Sequence, residues 1–298
     1  MRSADLIRLL TLAAIWGASF LFIRMLAPAA GPLWTAELRV GIAAVAMLAG
    51  MALARRAMEF GKNWHHYMII GLFNSALPFA LIAYAALTLP AGYSAIVNAT
   101  TPLWGALIGA LILGERLTAR KIGGLAVGIA GVAFLVRLGP VQFSAKVVLA
   151  VLACVGAAVC YGLAGTYSKK KSIGIAPNMM ATGSQAASAL LILPFLPLSP
   201  MRGTLTPSLL LVACALALLC TAIAYLLFFR LIVDLGPTKA LTVTFLIPLF
   251  ALLWGALFLH ETITASMLTG CALVVMAMWL VVFPAKSLTP IVTDSARK

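Results

Sequence analysis

Polar and charged residues in this chain fall at intervals between long apolar runs. Ten runs, bounded by charge or by Pro and Gly, have the length of a membrane-crossing helix, about 17–25 residues. They are Leu6–Leu26, Leu33–Leu53, Tyr67–Leu89, Gly92–Leu113, Ile122–Leu138, Val147–Thr166, Pro177–Leu198, Leu209–Phe229, Pro237–Leu259 and Ser266–Phe283. Only Pro90-Ala91 separates the third from the fourth, and the Pro-Ala-Gly sequence there interrupts what would otherwise read as one helix. The first run is too long for the apolar core of a cleavable leader, so it reads as a span. The pattern predicts an all-α polytopic membrane protein with ten transmembrane helices.

Composition agrees. Of 298 residues, 63% are hydrophobic and 9% charged, whereas a soluble domain carries about 25% charged residues. A soluble globular domain and a disordered chain are excluded. No stretch is long and polar enough for an extramembrane domain, so a functional site belongs inside the bundle or at its rims. The net charge of +14 would by itself suit a polyanionic partner. Sixteen of the 21 Lys and Arg, however, sit in alternate loops, among them Arg55, Arg56 and Lys62, Arg116, Arg120 and Lys121, and Lys169, Lys170 and Lys171. The positive-inside rule assigns those loops, and both termini, to the cytoplasm. The surplus of charge therefore encodes topology, and no nucleic-acid partner is expected.

The two halves repeat. Pro102–Ala126 aligned with Pro248–Ala272 at an offset of 146 has 12 identities in 25 positions, including Pro102/Pro248, Gly109/Gly255, Glu115/Glu261 and Gly124/Gly270. The first helices of each half align at 145, through Gly17/Gly162 and Pro32/Pro177. The expected units are a first five-helix repeat over residues 1–140, a second over 141–285, and a polar cytoplasmic tail over 286–298. Five is odd, so the second repeat enters the membrane inverted. Inverted repeats are the architecture of alternating access around a site near the midplane.

Several segments resemble the drug/metabolite transporter superfamily, specifically its ten-helix EamA family. They are Trp16-Gly17-Ala18-Ser19-Phe20, Arg39, Leu89-Pro90-Ala91-Gly92, Ala99-Thr100-Thr101-Pro102-Leu103 and Gly114-Glu115-Arg116-Leu117. In the second half they are Ala224-Tyr225, Leu235-Gly236-Pro237-Thr238, and Pro248 with Glu261. The chain departs from the family pattern at His260, where Gly is usual, and at Tyr161, where Trp is common. The resemblance implies a bacterial inner-membrane carrier of metabolites. Within the family the likeness is greatest to YddG-like exporters of aromatic and other neutral amino acids. Arg39 could attract a substrate carboxylate or hold helix ends together; because it matches a position shared across many substrate types, the resemblance favours the structural role.

A binding site at the midplane needs a few polar groups in an apolar wall. Ser94, Asn98 and Thr101 share one face of the fourth span, and Thr238, Thr242 and Phe245 repeat the spacing in the ninth, with Thr244 matching Asn98. Pro102 and Pro248 free carbonyls one turn earlier, at Asn98 and Thr244, which could meet an ammonium group. The alternative for any one Ser or Thr is a bond to its own helix. Trp16, Tyr84, Trp104, Tyr161 and Tyr225 fall mid-span, where an indole or phenol needs a polar partner. Asn74, Ser184 and Gln185 are further candidates. Glu37 and Arg39 are the charges well inside a span, two positions apart and so on different faces. Glu115 and Glu261 end their helices beside Arg116 and His260, as caps, rim ion pairs or gates.

Neither carboxylate nor histidine falls at the midplane, which predicts weak or absent proton coupling, or coupling through Glu37. The five cysteines form no metal-binding spacing, and no P-loop, nucleophile elbow or HExxH occurs. No cofactor and no metal are expected. An intramembrane enzyme acting on a lipid-linked substrate is the alternative function, and it lacks a polar catalytic cluster. Gly124, Gly128 and Gly131 line one helix face, which suits close packing within a monomer. The partners expected are a small-molecule substrate and membrane lipid.

Overall fold

The computed structural model describes residues 3–171 and 174–283, without the side chains of Pro237 and Thr238. The tail expected over 286–298 lies outside them. Among the described residues the chain is helical throughout, with no strand. Nine helices are long and apolar enough to cross a membrane: α1 Ser3–Ala30, α2 Pro32–Leu53, α3 Phe60–Ala85, α4 Ala91–Leu113, α5 Ala119–Leu138, α6 Ala145–Lys171, α7 Pro177–Leu198, α8 Pro207–Leu235 and α10 Ala265–Val282. The tenth, α9, is shorter and runs Val243–Leu259.

Helix ends depart from the apolar runs where polar residues continue the helix. α6 extends to Lys171, because three lysines in its last turn face the negative end of the helix dipole. The ninth span, expected from Pro237, is split into a turn at Pro237–Ala240 and a helix from Val243. Thr242 and Thr244 donate their hydroxyls to the carbonyls of Lys239 (2.7 Å) and Leu241 (2.8 Å). Such local bonds compete with the helical ladder. The same happens in α4, broken at Ala99-Thr100 just before Pro102. There Thr100 and Thr101 donate to the carbonyls of Val97 and Asn98, each at 2.7 Å.

Packing follows the sequence repeat. α1 lies on α9 as α6 lies on α4, and α3 lies on α7 as α8 lies on α2. α2 with α7, α4 with α9 and α5 with α10 pair across the two repeats. Exchanging the halves maps this set of contacts onto itself, which defines two inverted five-helix repeats. Gly17 makes the first contact possible: a Cβ there would come within 2.6 Å of the Phe250 Cβ and 3.0 Å of the Ala251 amide. Its counterpart Gly162 would meet the Gly105 amide at 3.0 Å. Gly124, Gly128 and Gly131 press α5 onto Ala277, Leu273 and Val274 of α10 in the same chain. Both repeats also carry a π-helical turn at the same place, Leu72–Ala76 in α3 and Leu218–Ile223 in α8.

The ends of α4 and α9 test the departure at His260. Gly114 caps α4 with φ 68, in the left-handed region that glycine enters freely, and His260 caps α9 with φ 52. A side chain there costs about 1–2 kcal/mol. His260→Gly is therefore expected to raise the stability of the purified protein by about 1 kcal/mol, seen as a higher melting temperature in detergent. An unchanged or lower melting temperature would contradict the strain.

Candidate functional site

A cavity of about 500 Å³ lies between the repeats. Much of its lining comes in repeat-related pairs. Trp16 faces it with Tyr161, Asn74 with Cys220, and Phe79 with Tyr225. Ile82 with Phe228, Ala95 with Leu241, and Asn98 with Thr244 follow the same rule. A cavity lined this way lies on the approximate twofold axis relating the halves. Its walls are mainly aromatic and aliphatic, with Trp16 against Phe228 at 5.3 Å and Tyr225 stacked on Phe229 at 5.9 Å between ring centres.

Few polar groups face inward, and most are engaged. The Asn74 amide donates to the Tyr225 hydroxyl at 3.0 Å. The Thr101 hydroxyl occupies the Asn98 carbonyl that Pro102 was expected to leave free. The buried Asn98 Oδ1 has no hydrogen-bond partner. Arg39 is 6% exposed, stacks on Phe79 at 3.6 Å and donates from Nε to the Thr221 Oγ1 at 3.1 Å.

Of the residues expected to bind substrate, Trp16, Asn74, Asn98, Thr101, Tyr161, Tyr225 and Thr244 line this cavity, together with Arg39, Pro102 and Glu115. Others lie elsewhere. Tyr84 is 41% exposed on the outer face of α3, two positions from the inward Ile82. Trp104 turns to the far side of α4, donates to the Thr100 Oγ1 at 3.2 Å and lines a separate apolar pocket with Leu103, Leu125 and Val151. The inward stripe of α4 runs through Ala95, Asn98, Pro102, Gly105 and Gly109, and Trp104 and Ser94 fall outside it. Gln185 is fully buried against Ser75. Ser184 bonds its own helix at Ala181. Thr242 does the same, and Phe245 packs on Phe283. Pro248, Glu37 and Glu261 also lie away from the cavity, Glu37 folded over Gly41 of its own helix. The side chain of Thr238 lies outside the described residues. Phe79, Phe228 and Cys220 were missed because none is polar by composition. For Phe79 and Cys220 the repeat partners Tyr225 and Asn74 were the available signal; Phe228 had none, its partner Ile82 being equally apolar.

The two ends of the cavity differ. Its mouth lies at the end carrying the basic loops, where Glu115 and Lys169 border it. There Lys169 Nζ lies 2.5 Å from Glu115 Oε1, with Lys121 at 3.9 Å from the other oxygen. The hydrogen bond from Lys169 holds the Glu115 carboxyl below its ordinary pKa despite partial desolvation. A carboxylate lowered in this way keeps its pair at neutral pH and loses it only as pH falls below the usual Glu value of about 4.3.

At the other end the repeat partners Arg24 and Glu261 close the bundle. Both Glu261 oxygens accept from the Ala91 amide at 3.0 Å, the first residue of α4. Arg24 Nε lies 3.8 Å from Glu261 and its guanidinium also donates to the Ala86 carbonyl. The position equivalent to Ala91 in the second repeat is Pro237, which has no amide hydrogen to offer Glu115.

A helical membrane protein built from two inverted five-helix units around a central cavity is the class that this fold and cavity define. The EamA-like transporter family matches residues 5–137 and 148–283, one match in each half, and the chain belongs to that family. It is 31% identical over 278 residues to "Uncharacterized transporter YvbV" of Bacillus subtilis, covering 91% of this chain and 88% of that protein. It is 26% identical to "Protein PecM" of Dickeya dadantii, over 90% of this chain and 88% of that one. It is also 26% identical to "Uncharacterized inner membrane transporter YedA" of Escherichia coli, over 97% and 95%. A solved crystal structure with 21% identity shares the fold, at a TM-score of 0.65 over 94% of this chain and 96% of its own. The protein is thus a multi-pass membrane transporter.

Ala91→Pro isolates the contact at the closed end. The first position of a helix tolerates proline, and the preceding Pro90 already has the extended ψ of 155 that a following proline requires. Only the donor to Glu261 is lost. Hydrogen bonds to a charged group contribute about 1.5–3 kcal/mol, so opening at that end is expected to rise about tenfold or more. A cysteine placed at Ile82 on the cavity wall, probed from that side with a membrane-impermeant maleimide, should label correspondingly faster. Unchanged labelling would show that the contact does not hold the end shut.

Proposed function

We propose that this protein exports small amphipathic metabolites, neutral or aromatic amino acids foremost, across a bacterial inner membrane by alternating access. The observation that carries this reading is the paired lining of the cavity. A site on the axis between inverted repeats stays in place while the halves exchange roles, and each exchange opens it to the opposite side. Glu261 with Arg24 and Glu115 with Lys169 are the corresponding groups at the two gates. The aromatic walls suit an apolar side chain, and the scarcity of charge disfavours phosphorylated substrates. The likeness to YddG-like exporters points the same way.

Under the positive-inside rule the termini and the open mouth face the cytoplasm, the side from which an exporter loads. One chain forms the whole path, so a monomer suffices. Among the described residues, the cavity holds no carboxylate deeper than Glu115 at its mouth, which favours transport driven by the substrate gradient over an obligate proton relay.

Counterflow in proteoliposomes tests the reading. Vesicles loaded with unlabelled phenylalanine or tryptophan are expected to accumulate the labelled amino acid transiently above equilibrium without a proton gradient. Complete dependence on a proton gradient would overturn uncoupled transport. Failure with every neutral amino acid would overturn the substrate class. Equilibration with no effect of internal substrate would indicate a channel.

A further inference from the structure

The two repeats make one contact in two chemical versions. Each π-helical turn presents a hydroxyl at the same register, Ser75 in α3 and Thr221 in α8. Each receives a hydrogen bond from the second helix of the opposite repeat. Gln185 of α7 donates from Nε2 to Ser75 at 2.9 Å, and Arg39 of α2 donates from Nε to Thr221 at 3.1 Å. Arg39 and Gln185 stand one position apart in the register that aligns Pro32 with Pro177. The Gln185 bond shows what this cross-repeat latch requires, which is one N–H and no charge.

Arg39 brings far more than that. A guanidinium is charged at every physiological pH and carries several further N–H donors in a planar fork. Placing one within a membrane span is costly, and such charges normally face a partner or a water-filled space. A buried charge normally has an opposite charge beside it. Among the described residues Arg39 has no carboxylate within ion-pair distance, and Phe79 supports only one face of the fork. Gln185 lies outside the cavity, whereas Arg39 lines it.

From this we infer that Arg39 binds the carboxylate of the transported substrate. This rests on the transport reading above and extends it: latch and binding site share one side chain, Nε serving the fold and the outer N–H groups serving the ligand. Planar pairing with a carboxylate suits the fork. The role is wider than the structural one implied by family resemblance.

Arg39→Gln gives the first repeat the same donor that the second already uses. It is expected to preserve the latch and yield folded protein. Three probes separate the contributions by ligand-induced thermal stabilisation of the purified full-length chain: L-phenylalanine, 3-phenylpropionate and 2-phenylethylamine. The wild-type protein is expected to bind both carboxylates more tightly than the amine. Arg39→Gln should weaken both carboxylates by about tenfold or more, the loss of a charge-assisted pair, and leave the amine unchanged. Arg39→Lys should retain the preference for carboxylates at lower affinity.

Carboxylate affinities unchanged in Arg39→Gln would overturn the inference. So would a wild-type protein that binds the amine as well as 3-phenylpropionate, or that responds to none of the three, and these outcomes hold even if the glutamine variant fails to fold. Equal stabilisation by chloride, competing with 3-phenylpropionate, would assign the charge to a small inorganic anion and also overturn it. Binding of 3-phenylpropionate through Arg39 without counterflow of any amino acid would uphold this site while defeating the amino-acid export reading.

Discussion

Hydrocarbon offers no hydrogen-bond partner, so each polar group within the bundle must find one in the protein or face a space that water and ligand enter. That constraint organises this molecule. Thr100, Thr101, Thr242 and Thr244 all turn back to carbonyls of their own helices, and the helices break at those points. The indole of Trp254 reaches across to the Ala14 carbonyl at 2.9 Å, tying α9 to α1. Gln185 and Arg39 cross between repeats to the π-helical turns. After these demands are met, Arg39 still carries unused N–H groups on a side chain that lines the cavity.

Duplication with inversion supplies the geometry in which this matters. The contact of Gly17 on α9 recurs as Gly162 on α4, so the first helix of each repeat presses on the fourth helix of the other. These close backbone contacts keep the central cavity between two similar walls. Evolution has not kept the walls identical. Asn74 has Cys220 as its repeat equivalent and Trp16 has Tyr161, and one latch is charged where the other is neutral. The two ends of the bundle differ as well, since Glu261 has the amide of Ala91 to bind and the position equivalent to Ala91 in the second repeat is Pro237. The protein is symmetric in its framework and asymmetric in its chemistry.

Much of the framework was legible in the chain. Spacing of apolar runs gave ten helices, because a membrane span must be long and uninterrupted. The identities between Pro102–Ala126 and Pro248–Ala272 gave the repeat, because a shared Pro, Glu and glycines in register are improbable in apolar sequence. The site was less legible. Tyr84 and Trp104 have the right composition and depth but the wrong helical phase, and α4 is broken just before Pro102 and the ninth span at Leu241-Thr242, so an ideal period does not carry across them. Phe79 and Cys220 are ordinary apolar residues by type and become notable only as partners of Tyr225 and Asn74.

The sequence by itself therefore determined that this is a membrane protein, how many times it crosses, which loops carry the positive charge, and that its halves are inverted copies. These follow from hydrophobic length, charge counting and the parity of five, all properties of the chain taken in order. Only the tertiary structure decided which end is open, which side chains meet on the axis, and that Arg39 has no carboxylate beside it among the described residues while Gln185 makes a similar bond without charge. Those depend on helix rotation and on contacts between residues more than a hundred positions apart, and linear spacing carries no information about either.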